Sequence, residues 1–311
     1  MLSKLIVQLR KRNIPIMEGD GPLGEPRNRK VRVDGVRLLL WHELPTWRRD
    51  NKFILAGYRP ASGSFCQSLK SLGHIHNETV NIYTHLLGAV VFGTLPFPIY
   101  SKVYRQYTNT QLGDIIVFSA FFWSVAVCFL LSASFHIVSN HSSAVAALSN
   151  HLDYLGIVIL MWGSIIPSVY YGFYHEPKLQ KLYWLMATIL ASTCAVATLH
   201  HRFHRPNFRL YRAAIYASLG LSAICFIIHG LVLHGWVLQN RRMSLSWMGL
   251  TGGLNMIGAM VYAARIPERW HPRRHDIYGS SHQILHIMVT FAGLTHLAGL
   301  LSAFHHLHTY S

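Results

Sequence analysis

Long apolar runs, separated by short polar segments, recur along this chain from about residue 80 onwards. Each run is about 20 residues long, the length that an α-helix needs to cross a hydrocarbon core about 30 Å thick. We therefore predict seven membrane-spanning helices, at residues 80–100, 113–138, 149–173, 181–200, 211–235, 245–265 and 282–304. The predicted fold class is an all-α integral membrane protein with a seven-helix bundle.

The segments outside these runs divide the rest of the chain. Residues 1–35 are rich in Gly, Pro and charge, and are predicted to be a flexible cytosolic tail. Residues 36–79 alternate apolar and basic groups, and two interpretations stay open: a helix lying on the membrane surface, or a small packed cap on the cytosolic loops. Residues 80–304 form the predicted membrane domain, and residues 305–311 a short exterior tail.

Composition and charge support this interpretation and add an orientation. Only 13% of the residues are charged, whereas a soluble domain carries roughly 25%. With seven spans, 22 of the 28 Lys and Arg residues fall on the side of the N-terminus. The positive-inside rule then predicts a cytosolic N-terminus and an exterior C-terminus. Because the basic residues lie beside spans, we expect them to attract anionic lipid, with no nucleic acid as partner.

Ionisable side chains at the edges of three predicted spans are the candidate functional residues. Such side chains are costly in a bilayer and are usually kept for function. His282 and His286 are four residues apart and therefore share one helix face. His136 lies near the cytosolic end of the second span, with Ser132 one turn before it, and Asp153 opens the third span. The predicted topology places all of these residues at one depth, in the inner leaflet.

Three imidazoles are the ligand number of an open zinc site. Three neutral ligands leave Zn²⁺ its charge and one free position, where bound water has a pKa near ~7. Asp153 could take a proton from that water and pass it to a leaving amine. Two other roles stay open: His136 bonded to a neighbouring helix, and Asp153 as a helix N-cap.

Other polar residues near the spans are assigned ordinary roles. Asp114 is predicted to cap an exposed helix start on the exterior side. His85 is predicted to bond a neighbouring helix. His305, His306 and His308 in the exterior tail lack the helical spacing and partners of the main set, so we expect at most weak metal binding there.

Taken together, these fragments resemble the signature of the progestin and adipoQ receptor (haemolysin III-related) family. The matching fragments are Ser132-x3-His136, Leu152-Asp-Tyr154, His282-x3-His286 within Ser281–His286, Asn77–Gly88 and Ala263–Arg269. The resemblance covers about residues 40–304 and is closest to the adiponectin receptor branch. Residues 1–35 show no resemblance that assigns them a role.

The resemblance implies site residues as well as a fold. It implies seven spans, a cytosolic N-terminus and a zinc ion near the inner leaflet, with the ligands His136, His282 and His286. It implies that Asp153 holds the water on the zinc, and that Arg202 and Tyr154 lie near a bound lipid. Ser132 would join the surroundings of the metal.

Two functions are compatible with these residues. The first is a membrane receptor, in the plasma membrane or an endomembrane, with intrinsic zinc-dependent lipid-amide hydrolase activity. The resemblance suggests ceramide as the substrate, with a sphingoid base and a fatty acid as products, and a possible exterior protein ligand. The alternative is a non-enzymatic membrane receptor, or a sensor in sterol or zinc homeostasis, in which the zinc is structural. An exchangeable water on the metal would distinguish an open site from a closed one.

Overall fold

The computed structural model describes residues 31–33, 36–200 and 209–310, and helices account for most of them. The helices are α1 (Phe65–Lys70), α2 (Thr79–Thr94), α3 (Leu112–Val138), α4 (Ser143–Gly172), α5 (Pro177–Leu199), α6 (Arg209–Met243), α7 (Leu245–Ala264) and α8 (Ser281–Tyr310). Shorter helical turns extend α2 to Gln106. Two short strands, β1 (Val31–Val33) and β2 (Val36–Leu38), pair antiparallel ahead of α1.

Six helices in the described part of the chain are long and apolar enough to cross a membrane. They are Thr79–Gln106, Leu112–Val138, Ser143–Gly172, Pro177–Leu199, Ser218–Met243 and Ser281–Tyr310. Helix α7 lies where the sixth of seven spans was predicted, but it is not among these six. The chain is therefore an all-α, multi-pass membrane protein, while the count of seven spans and the orientation stay predictions.

Glycine allows α3 and α4 to approach each other closely. A Cβ atom on Gly156 would lie 3.0 Å from the Cα atom of Cys128, and one on Gly163 would lie 2.0 Å from the Oγ atom of Ser124. Small residues at such crossings let helix backbones pack together inside a membrane. The close contact therefore joins the middle of α3 to the middle of α4.

Aromatic rings join α3 to α8. Phe118 of α3 meets Phe304 of α8 edge to face, and Phe92 of α2 meets Phe121 and Phe129 of α3 in the same way. All five rings are almost completely buried. Edge-to-face pairs contribute about 0.5–1.5 kcal/mol each beyond the burial of their area. This aromatic core fixes α2, α3 and α8, the three helices that surround the histidines.

Helix α4 begins earlier than the apolar pattern indicated. It starts at Ser143, and the hydroxyl of Ser142 accepts a hydrogen bond from the backbone N–H of Val145. Asp153 therefore lies inside α4, and its interpretation as a helix N-cap is wrong. The reason is that the first turns of α4 are only moderately apolar, while Ser142 supplies the capping group.

The opposite end of the bundle also differs from expectation. The carboxylate of Asp114 accepts a hydrogen bond from the backbone N–H of Gln111 at the start of α3, so the capping role is confirmed. The carboxylate is fully buried, however, because Tyr171 and His308 also bond it. The expectation of an exposed helix start is wrong. Helix α8 continues to Tyr310, so residues 305–310 are its last turns rather than a separate tail.

Residues 39–60 form a packed unit, here called the N-terminal cap. Leu44, Ile54 and Tyr58 form its small buried core. The amide of Leu55 donates to Asp276 at 2.9 Å, and Asn51 donates to Glu268 at 3.0 Å, so the cap rests on the segment between α7 and α8. These contacts favour the packed cap over a surface helix for this part of the chain. The adjoining α1 nevertheless keeps an exposed apolar face at Phe65 and Leu69.

Candidate metal centre

Three histidines from two helices converge near the N-terminal cap. His136 lies in the last turn of α3, and His282 and His286 lie in the first two turns of α8. One ring nitrogen of each residue lies within 4.8 Å of the others, which is close enough for a shared metal ion. His136 and His286 are buried and His282 is partly buried. The structure thus brings together the three histidines that the sequence singled out.

His136 is oriented by a carboxylate. Its Nδ1 atom lies 2.8 Å from Oε2 of Glu78, at the start of α2. If Nδ1–H donates to the carboxylate, Nε2 carries the lone pair, and that atom is buried without a hydrogen-bond partner among the described residues. An outer carboxylate on one ring nitrogen and a free lone pair on the other is the usual arrangement of a metal-binding histidine.

His286 is oriented in a similar way by the backbone. Its Nδ1 atom lies 3.2 Å from the carbonyl oxygen of Asn81, so Nε2 is again left for a ligand. The side chain of Asn81 donates to Glu78 at 2.7 Å. The first turns of α2 therefore hold two of the three imidazoles in the tautomer that a metal requires.

Glu78 is charged in this arrangement. Burial by itself would raise its pKa, but the hydrogen bonds with His136 and Asn81 hold that pKa below its usual range. An ionised carboxylate beside the cluster supplies a negative charge that favours a bound cation.

Sequence reasoning missed both residues of α2 that hold the imidazoles. Glu78 and Asn81 lie within the Asn77–Gly88 fragment, where two polar side chains one turn apart precede an apolar run. That spacing could have identified Glu78 and Asn81 as candidate site residues from the sequence. His85, one turn further along, stacks on His286 with ring centroids 3.7 Å apart, and both of its ring nitrogens are buried without a hydrogen-bond partner in the described structure. The predicted hydrogen bond from His85 to a neighbouring helix is absent there.

The start of α8 is also fixed by buried polar contacts. Glu268, which is fully buried, accepts hydrogen bonds from the backbone N–H and the hydroxyl of Ser281. Gln283 donates to the carbonyl oxygens of Asn77 and Ile277. These bonds satisfy groups at a helix N-terminus that would otherwise lack partners, and they hold His282 facing the cluster from one side.

Asp153 reaches the cluster from α4. Its carboxylate lies near Ser132 and His136. Ser132 is buried one turn before His136 on α3. Tyr154, the next residue on α4, is half exposed on the surface of the bundle. Arg202 lies outside the described residues.

A polar cavity of about 110 Å³ lies beside the cluster. Its wall includes His282, Glu78 and Tyr262, and also Arg48 of the N-terminal cap and Arg265. A cavity of this size holds several water molecules. The cavity therefore gives water a place next to His282.

The donor set fits a metal ion with an open position. Within the described residues, no fourth His, Cys, Asp or Glu ligand atom joins the three imidazoles, and no second group of this kind is present. Three neutral nitrogen donors suit zinc, although imidazole also binds other transition metals.

At the opposite end of the bundle, His308 bonds Asp114 at 3.1 Å and His305 bonds Tyr107 at 2.5 Å.

Comparison with known proteins agrees with the fold. A model of the Haemolysin-III related family matches residues 73–297. The ADIPOR-like receptor IZH2 of Saccharomyces cerevisiae is 39% identical over 272 residues, which are 88% of this chain and 86% of the yeast protein. The adiponectin receptor protein of Drosophila melanogaster is 40% identical over 88% of this chain and 61% of its own length. The progestin and adipoQ receptor-like protein 1 of Caenorhabditis elegans is 37% identical over 85% and 60%. The chain thus spans about three fifths of these two animal proteins.

Proposed function

Because this chain belongs to the haemolysin-III related family of multi-pass membrane receptors, we propose that its histidine cluster binds zinc and hydrolyses a lipid amide such as ceramide. The convergence of three imidazoles, two of them buried, with Asp153 near them and no fourth side-chain ligand within the described residues, supports this proposal. A site of that composition is open rather than closed.

The residues around the metal have separate roles in binding and in proton transfer. When bound to three imidazoles, zinc supplies a Lewis acid for a carbonyl oxygen and lowers the pKa of water in its free position. Glu78 and the carbonyl of Asn81 hold the rings of His136 and His286 in the binding tautomer. Asp153 accepts a proton from the attacking water and returns it to the leaving amine nitrogen. Ser132 lies near the Asp153 carboxylate and would orient it.

The position of the site favours a lipid substrate. The histidines lie between membrane-crossing helices, and Tyr154 of α4 faces outwards from the bundle next to Asp153. A ceramide amide can enter sideways from the bilayer, while water enters through the polar cavity beside His282. The products are a sphingoid base and a fatty acid, both membrane lipids. The names of the animal relatives favour an exterior protein ligand of the adiponectin type for the receptor role.

The substitution Asp153→Asn tests the proposal. It preserves size but removes the base, so purified protein should keep its zinc and lose lipid-amide hydrolysis by about 10²–10⁴-fold. Glu43→Gln is the control, because Glu43 pairs with Arg37 on the N-terminal cap and does not line the polar cavity; it should be as active as the wild type. Hydrolysis of fluorescent ceramide in detergent and in liposomes, with zinc analysis of the same samples, gives both quantities.

Two results would contradict this function. An Asp153→Asn variant with wild-type hydrolysis would exclude Asp153 as the base. A zinc-loaded, folded wild type that is inert on short- and long-chain ceramides in several lipid environments would favour the non-enzymatic receptor or sensor, in which the zinc is structural.

A further inference from the structure

Arg59 of the N-terminal cap is buried against the end of α3. Its side chain is 3% exposed. The guanidinium donates to the carbonyl oxygen of Ile137 at 2.9 Å and to that of His136 at 2.5 Å. It also donates to the hydroxyls of Ser71 and Ser139 at 2.7 and 3.2 Å. One side chain therefore engages the last turn of the helix that carries a candidate metal ligand.

The end of a helix needs such a partner. Helix α3 ends at Val138, two residues after His136. Its last carbonyl groups therefore receive no hydrogen bond from an N–H group within the helix. A cation at this position also interacts favourably with the negative end of the helix dipole. Burial lowers the pKa of Arg59 to about 10, and the nearby charge of Glu78 opposes that change. The guanidinium is therefore charged at neutral pH.

The backbone around Arg59 is itself fixed. Tyr58 pairs with Leu39 through two backbone hydrogen bonds, at 2.7 and 3.2 Å. Arg48 donates to the carbonyl oxygen of Arg59 at 2.6 Å, and Asn140, just beyond α3, donates to that of Pro60 at 2.9 Å. The position of the guanidinium is thus set by the N-terminal cap, not by the membrane helices alone.

His136 is consequently held at two places. Glu78 fixes its ring through Nδ1, and Arg59 fixes its backbone carbonyl. The other two histidines lie on α8, whose start is held by Glu268 and Gln283. Loss of Arg59 would loosen the last turn of α3 and move one of three donor atoms, while the other two stay in place. Metal sites lose affinity when a ligand is displaced by a fraction of an ångström.

We propose that Arg59 is a positioning residue for the metal centre and that, through it, the zinc affinity of the cluster depends on the folded N-terminal cap. This inference rests on the proposed zinc site. Arg59 itself does not touch the metal or a substrate.

The experiment compares the zinc affinity of full-length purified variants by competition with a chelator. Arg59→Gln should bind zinc about 10–100-fold more weakly, the usual effect of removing a group that orients a ligand. Arg59→Lys should lose less affinity than Arg59→Gln, because an ammonium group keeps the positive charge. It should still bind zinc more weakly than the wild type, because an ammonium group lacks the planar guanidinium geometry that bonds both carbonyl oxygens. Arg49→Gln is the matched control. Arg49 belongs to the same cap and donates to the carbonyls of Leu44 and His42, away from α3, so its loss should leave the affinity unchanged.

A second measurement separates positioning from a general effect on folding. Arg59→Gln is combined with His282→Ala, which removes the metal. If Arg59 positions His136, the fall in unfolding temperature caused by Arg59→Gln should be larger in the zinc-loaded protein than in this metal-free background, because the stability that bound zinc adds rises with its affinity. An equal fall in both backgrounds, with unchanged zinc affinity, would overturn the proposal.

The remaining outcomes are also decisive. If Arg59→Gln does not fold, a folded Arg59→Lys variant with wild-type affinity overturns the inference. A wild type that holds no zinc overturns the metal site itself, and this is seen before any Arg59 variant is compared. A zinc-loaded wild type with an unaffected Arg59→Gln overturns only the role of Arg59.

Discussion

His136, a candidate metal ligand, is held at both its ring and its backbone. Its ring is held by Glu78, which is 58 positions away in the sequence, and its carbonyl by Arg59, which is 77 positions away. The histidines themselves were predictable, because spacing of three or four residues on a helix is a local pattern. Glu78 and Arg59 were not predicted, because their partners are set by how α2 and the N-terminal cap pack against α3.

Replacement of Glu78 by Gln should weaken zinc binding. The amide can still accept the Nδ1–H of His136, but the negative charge that strengthens the imidazole as a ligand is lost. We expect a decrease in zinc affinity of about 10–100-fold, with the fold intact by circular dichroism. Chelator competition on the purified variant measures the affinity.

Glu43→Gln is the control for this change. Glu43 pairs with Arg37 at 2.7 Å on the surface of the N-terminal cap and does not contact the histidines. Its replacement should leave zinc binding at the wild-type value. Equal zinc affinities in Glu78→Gln and Glu43→Gln would show that Glu78 does not tune the site.

At the scale of elements, the hydrophobic pattern located the helices but not their ends. Apolar runs mark the part of a helix that lies in hydrocarbon, so the first turns of α4 and the last turns of α8 were missed. The same effect misplaced Asp153 at a helix start. The pairing of α3 with α4 through Gly156 and Gly163 was not foreseen, because a glycine in a span is equally compatible with a kink.

Gly163→Ala should destabilise the bundle. Its added Cβ atom would lie 2.3 Å from Cβ of Ser124 and 3.0 Å from the carbonyl oxygen of Ala120, so α3 and α4 must separate. Overpacking of this kind costs about 1–3 kcal/mol. Thermal unfolding in detergent measures the change.

Gly252→Ala is the matched control, since no atom lies within 4 Å of a Cβ atom at that position in α7. It should leave stability unchanged or raise it by up to about 1 kcal/mol, because alanine has the higher helix propensity. If the two variants unfold at the same temperature, the close crossing of α3 and α4 is not tight at Gly163.

At the scale of the whole molecule, the pattern of apolar runs was sufficient for the fold class. Apolar runs of membrane length predicted a multi-pass helical bundle, which the structure and the family match confirm. The orientation rests on a different property, the distribution of Lys and Arg between the two sides. The histidines lie at the end of the bundle that the N-terminal cap covers, so the predicted orientation places the metal centre on the cytosolic side.

Epitope tags test this orientation. A tag after Ser311 should bind antibody on intact cells if the protein reaches the cell surface, and a tag before Met1 should bind only after permeabilisation. For an internal membrane, protease protection of sealed vesicles gives the same comparison. Both tags on one side would require an even number of spans, and α7 would then not cross the membrane.

The central claim is that His136, His282 and His286 hold one metal ion, and metal analysis of purified protein tests it most directly. The wild type should contain about one zinc ion per chain, as in other open three-histidine sites. His282→Ala should lose most of that zinc, whereas the double variant His305→Ala with His306→Ala, at the far end of α8, should keep it. A wild type without metal, or a double variant that empties while His282→Ala stays loaded, would contradict the account.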